Sequence, residues 1–115
     1  MQIQPLQIID FAQQQAQATG AYSNIPVALV NNHVVRMSVM TEPYFWHRHP
    51  NSDESFLVLE GSIFIDLEER MVELHPGQLF TIPKNVNHRT RPNGNRSVNI
   101  TFELENMETV RIETS

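Results

Sequence analysis

The chain contains no cysteine. Disulfide staples and thiolate-bound metals are excluded, so any metal must be held by His, Asp, Glu, main-chain carbonyls or water. No stretch approaches the ~20 consecutive apolar residues that span a bilayer. Met1-Gln2-Ile3-Gln4-Pro5 lacks both a basic n-region and an apolar h-region. The expectation is a soluble cytoplasmic protein with no membrane partner. A basic stripe is missing too: acids outnumber bases 13 to 8, for a formal charge of −5. Arg36, Arg48, Lys84, Arg89, Arg91 and Arg96 are scattered among acids and read as solvated surface, which argues against nucleic-acid binding. Heptads of Leu, Ala, Glu and Lys are absent, and with them the helical bundle.

What remains is a texture of short apolar segments broken by Pro, Gly and Asn. At 115 residues the chain is one domain by size, long enough to bury roughly 65% of its unfolded surface around a single core. Pro5 to Thr19 reads as a helix covering one end of a barrel: Pro5 suits a first turn, Ile8, Ile9, Ala12 and Ala16 recur at helical spacing, and Gly20 stops it. Strand-like runs follow at Val27–Val30, Val34–Met40, Tyr44–His49, Ser55–Leu59, Ile63–Leu67, Met71–Leu74 and Leu79–Ile82. Near the end, Val98, Ile100, Phe102 and Leu104 alternate with Asn99, Thr101 and Glu103. The reading is an all-β sandwich or barrel, with residues 1–26 as an N-terminal helix and arm and residues 27–110 as the β-domain.

Three histidines and one glutamate carry the chemistry. His47-x-His49 is followed by Glu54 and Gly61; Gly77, Pro83 and Asn85 then lead to His88. Alternate residues of a strand share a face, so His47 and His49 point together, their Cα atoms about 6.6 Å apart. Pro50-Asn51-Ser52-Asp53 is turn-rich, so Glu54 is expected to open the antiparallel return strand, with His49 and Glu54 as cross-strand neighbours. His88 must come from a second hairpin. A lone histidine on an apolar strand reads as a hydrogen-bonded core residue; four residues at these spacings read as a ligand set for one divalent ion. His33 and His75 each sit beside a turn and read as surface.

These residues resemble the two motifs of the cupin family, in the form of a small single-domain cupin of the conserved-barrel, RmlC-like type. His47, His49, Glu54 and Gly61 match the first motif at its spacings, and Gly77, Pro83 and His88 match the second. The match is close from Trp46 to Pro92. Thr41 stands where the family has a leading Gly, Asn85 where it has the Gly after the proline, and Pro92 where it often has Asn. The resemblance implies a double-stranded β-helix, or jelly-roll, barrel. It further implies one divalent transition metal per chain (Fe, Mn, Ni, Co, Cu or Zn) on His47, His49, Glu54 and His88, and pairing into a homodimer.

By strand parity Phe45 shares a face with His47 and His49, and Phe56 with Glu54, so both are expected to line the pocket as apolar walls. Met37 and Met40 read as core fillers. Tyr22, Tyr44, Arg36 and Arg91 are within chain reach of a substrate, with nothing in the sequence to fix their direction. Three imidazoles and one carboxylate leave two positions on a six-coordinate ion and a site charge near +1, which suits small oxygen-rich or anionic ligands. Two functions follow: a small metalloenzyme of the oxygenase, isomerase or decarboxylase class, or a non-catalytic module that binds a sugar, polyol or small acid. Fold analogy does not choose between them.

Overall fold

In the computed structural model, which describes residues 3–113, the alternating segments become ten strands and one short helix. Met1 and Gln2, part of the leader reading and of the N-terminal arm, lie outside the described residues, as do residues 114–115. In chain order the elements are α1 (Phe11–Ala16), β1 (Tyr22–Val30), β2 (His33–Met40), β3 (His47–Arg48), β4 (Glu54–Glu60), β5 (Ile63–Leu67), β6 (Met71–Leu74), β7 (Leu79–Ile82), β8 (His88–Pro92), β9 (Ser97–Leu104) and β10 (Val110–Arg111). One sheet has the order β1-β2-β9-β4-β7, the other β10-β3-β8-β5-β6, and their pairings are antiparallel. From β2 onward the chain crosses between the sheets at almost every connection. This is the jelly-roll barrel that the sequence resemblance implied.

The first sheet is covered on both faces. Towards the second sheet, Phe56 and Val58 of β4 pack with Ile63, Ile65, Leu74 and Ile82. On its outer face Met37 and Val39 of β2 and Val98 and Ile100 of β9 pack with Val27, under Ile9, Phe11 and Ala18 of the N-terminal segment. Each such buried aliphatic side chain contributes about 1.5–3 kcal/mol relative to exposure. Met37 and Met40 are both core residues, 1% and 2% exposed.

The helix is shorter than the Pro5–Thr19 reading, and it lies on the outer face of a sheet rather than across a barrel end. Leu6 adopts φ 62°, a left-handed conformation that stops helix propagation from Pro5. Asp10 is the true N-cap, its Oδ1 accepting from Gln13 N–H at 3.3 Å. The first strand begins at Tyr22 rather than Val27, and contains Pro26. This is possible because β1 is an edge strand, with a bulge between Pro26 and Ala28. The expected Tyr44–His49 strand contracts to His47–Arg48. The expected His49–Glu54 hairpin does not form either: β3 pairs with β8 and β10, whereas β4 lies in the opposite sheet beside β7 and β9.

Gly61 closes the β4–β5 connection at φ +69°, and a Cβ there would sit 2.6 Å from the Arg96 carbonyl oxygen. Backbone strain and a backbone clash coincide. Gly61→Ala is expected to lower unfolding free energy by about 2 kcal/mol or more, read from urea denaturation midpoints; a variant within 0.5 kcal/mol of the parent, roughly the noise for a surface change, would remove this constraint from the fold.

Candidate metal centre

β3 and β8 set His47 directly opposite His88 in an antiparallel pair. His49 follows two residues beyond His47, and Glu54 enters from the facing sheet at the start of β4. The loop carrying Pro83 to Val86 is tied to this group by Asn85 N–H, which donates to the His49 carbonyl at 2.9 Å. Asn85 itself sits at φ 67°, the left-handed conformation that a glycine would take here and that asparagine tolerates. His47, His49, Glu54 and His88 are all buried, and one ligand atom from each lies within 4.8 Å of the others. Cross-sheet convergence, rather than a hairpin, assembles the group.

Orientation is fixed from behind. His47 Nδ1 donates to Phe45 O at 2.8 Å, His49 Nδ1 to Glu108 O at 2.9 Å, and His88 Nδ1 to Val86 O at 2.9 Å. A carbonyl can only accept, so each Nδ1 carries the proton and each Nε2 presents a lone pair in the neutral ring. His49 Nε2 and His88 Nε2 face Glu54 Oε1 at 3.2 and 3.5 Å. All three atoms are buried without a hydrogen-bond partner, because acceptor faces acceptor. A cation satisfies this arrangement. Ligand atoms on one ion with bonds of ~2.1 Å are at most ~4.2 Å apart, so seating it requires only small inward shifts. The donor set of three imidazoles and a carboxylate fits a divalent transition ion.

His47, His49 and Glu54 of the cluster line a cavity of about 330 Å³, with His88 buried behind them. Tyr22, Asn24, Arg36 and Ser38 of β1 and β2, and Asn99, Thr101 and Glu103 of β9, line it together with Tyr44, Met40 and Phe56. A match to the Cupin domain family spans residues 34–102. The chain belongs to the cupin family. It is 43% identical over 93 residues, 80% of this chain and 81% of the other, to Uncharacterized protein YdbB of Bacillus subtilis (strain 168). Among solved structures it resembles a cupin-2 domain containing protein from Shewanella frigidimarina (TM-score 0.80, 23% identity, 85% of this chain and 95% of that one). It also resembles the polyketide cyclase RemF from Streptomyces resistomycificus (TM-score 0.72, 17% identity, 83% and 73%).

Not every expected residue of this cupin faces its cavity. Phe56 does, 6% exposed. Phe45 does not: it stacks on Tyr44 with centroids 4.1 Å apart and lies under the Arg111 guanidinium, 4.9 Å from its carbon. The cause is local. Residues 43–46 are not strand, so the two-residue period does not extend back from His47, and Tyr44 takes the cavity position instead. Arg36 also departs from expectation, lining the cavity instead of the solvated surface. Arg91 is turned away and bound to Asp66, at 2.9 and 3.1 Å. His33 and His75 are exposed. Asn99, Thr101 and Glu103 were missed as site residues. Their strict alternation with apolar neighbours was the available signal.

Burial sets the protonation of the cluster. Desolvation, followed by the proximity of His88, lowers His47 to about 4. Burial also opposes charge on His49, but contact with Glu54 and the Glu108 carbonyl outweighs it and raises that imidazole. Glu54 is pushed up by burial yet drawn down to about 2 by His49 and His88. Glu103 is raised to about 7 by burial and then by the Glu54 charge. His47 binds its proton more weakly when folded than when unfolded. Its contribution to stability is present above 6.5 and lost as pH falls towards about 4. Nuclear magnetic resonance titration of the metal-free protein is expected to find His49 titrating above 6.5 and His47 near 4. The reverse order would refute this electrostatic account.

Proposed function

We propose that this cupin is a small metal-dependent enzyme acting on a small oxygen-rich or anionic substrate, with His47, His49, Glu54 and His88 as its metal ligands. One observation carries the reading: buried acceptor atoms converge, without a donor, beside a cavity of substrate size that His47, His49 and Glu54 line. A divalent ion bound there would polarise a substrate oxygen and stabilise negative charge developing on it. The chain's own residues do the rest. Phe56 and Met40 exclude water from part of the wall, while the Glu103 carboxyl and the Tyr22 and Tyr44 hydroxyls supply groups that can hold or move a proton.

Those protic groups favour the isomerase or decarboxylase class over the oxygenase class. RemF has the same barrel, but 17% identity carries the fold and not the substrate. His49→Ala and His88→Ala are each expected to cut metal content at least tenfold, by elemental analysis of protein purified without added metal or chelator, while circular dichroism still shows a β-protein. Full occupancy in both variants would refute the ligand assignment. In heavy water, the loaded enzyme should introduce deuterium beside the carbonyl of a 2-oxo acid without consuming dioxygen; oxygen uptake without exchange would shift the reading to oxygenase chemistry, and binding with neither to a non-catalytic module.

The same reading includes a cytoplasmic homodimer. Leu6 and Ile8 in the N-terminal arm are 102% and 96% exposed, and Leu79 on the edge strand β7 is 60% exposed, which supports cover by a second copy. Light scattering at micromolar concentration is expected to give twice the 13.3 kDa chain mass; the mass of one chain would contradict the dimer.

A further inference from the structure

Arg36 is the one lysine or arginine among the residues that line the cavity. It sits on β2 between Pro26 of β1 and Thr101 of β9, on the same strand face as Ser38 and Met40. Its side chain is 31% exposed, so the head group reaches the open part of the cavity while the stem is covered. Its ion-pair contact is Glu103 Oε2, 3.7 Å from Nε, beyond N–H···O hydrogen-bond length. Among the described residues no side chain accepts a hydrogen bond from this guanidinium. The other carboxylate oxygen, Glu103 Oε1, is occupied by the Thr101 hydroxyl at 2.7 Å.

The outer arginines show what commitment looks like in this protein. Arg89 and Arg91 both close on Asp66, with donor–acceptor distances of 2.9–3.1 Å. An arginine kept in place only to neutralise Glu103 would close in the same way. Arg36 instead holds an idle, planar fork of donors in a partly dry cavity, and that geometry matches a carboxylate presented edge-on. Glu103 lies between the two ends of the site: it faces Arg36 on one side and feels the charge of Glu54 on the other. A cavity of about 330 Å³ is at the small end for ligand pockets, so one short molecule can touch both ends.

We propose that Arg36 seats a carboxylate of the substrate while an oxygen function at the substrate's other end faces the His47, His49, Glu54 and His88 cluster. The substrate class is thus a short organic acid carrying a second, separate oxygen donor. This rests on the metal-dependent reading above, and the two can fail separately.

The test uses succinic monohydroxamate and its methyl ester, which share a hydroxamate for the ion and differ only in the carboxylate. Calorimetry on zinc-loaded protein is expected to show the acid binding about 10- to 100-fold tighter than the ester, the range for one charged, bidentate hydrogen-bonded pair. Arg36→Gln should reduce that preference to within about threefold with unchanged metal content, and Arg36→Lys should retain part of it. The Lys variant carries the test alone if the Gln variant does not fold. The same pair is titrated into metal-free protein and followed by side-chain resonances of Arg36, where the preference should persist at weaker affinity. A preference that survives Arg36→Gln, or wild-type protein that does not discriminate in either state, overturns the carboxylate seat. A chain that loads no metal but still prefers the acid through Arg36 overturns the metal-dependent reading and leaves the seat standing.

Discussion

The Nδ1–H groups of His47, His49 and His88 each end on a main-chain carbonyl, and the rest of the site follows from that constraint. Once those protons are committed, three imidazole lone pairs can only point inward, towards a carboxylate that also accepts. The fold holds this electrostatic conflict in a place where water is scarce. Phe45 and Val86 are local partners, two residues from the histidines they orient, whereas Glu108 is 59 residues from His49. Two of the three rings are thus set by the residue two positions before each, and the third by a residue distant in sequence. Outer partners of this kind fix ring direction and raise ligand basicity.

Two buried faces on one sheet are the second organising fact. β9 is buried along nearly its whole length. Its apolar side, Val98 and Ile100, is covered by the N-terminal segment, and its polar side, Asn99, Thr101 and Glu103, is the cavity wall. An ordinary sandwich strand presents its polar side to solvent. Here the covering segment takes up the apolar side and leaves the interior free to be polar. The cavity thereby gains hydrogen-bonding groups without weakening the packing that holds the strand.

Much of this was legible in the sequence, and the gaps have physical causes. Short apolar runs between turn signals located β2 and β4, two-residue alternation located β5 and β9, and histidine and glutamate spacing named the four residues that the structure brings together. The partner of each strand was not legible, since local pattern carries no information on which sheet a strand joins; Glu54 was paired with the wrong neighbour for that reason. β8 escaped notice because its sequence, His-Arg-Thr-Arg-Pro, contains no aliphatic residue. It is a strand because His88 and Thr90 are buried while Arg89 and Arg91 clamp Asp66 of β5. Alternation along β9 was plain, but periodicity gives two faces without saying which one turns inward. Phe45 failed because it lies outside regular strand geometry, two residues before β3 begins at His47.

The contact between His49 and Glu108 also bears on how the protein is made. β10 pairs with β3, and Glu108 and Thr109 both approach His49 Nδ1, at 2.9 and 3.2 Å. In a nascent chain His47, His49 and Glu54 emerge well before Glu108, whose carbonyl orients His49 from 59 residues further on. The four-residue group reaches its final geometry only once residues as far as Glu108 have left the ribosome. Until then the carbonyl that fixes the His49 ring is missing, so the orientation of the cluster depends on a contact that spans 59 residues.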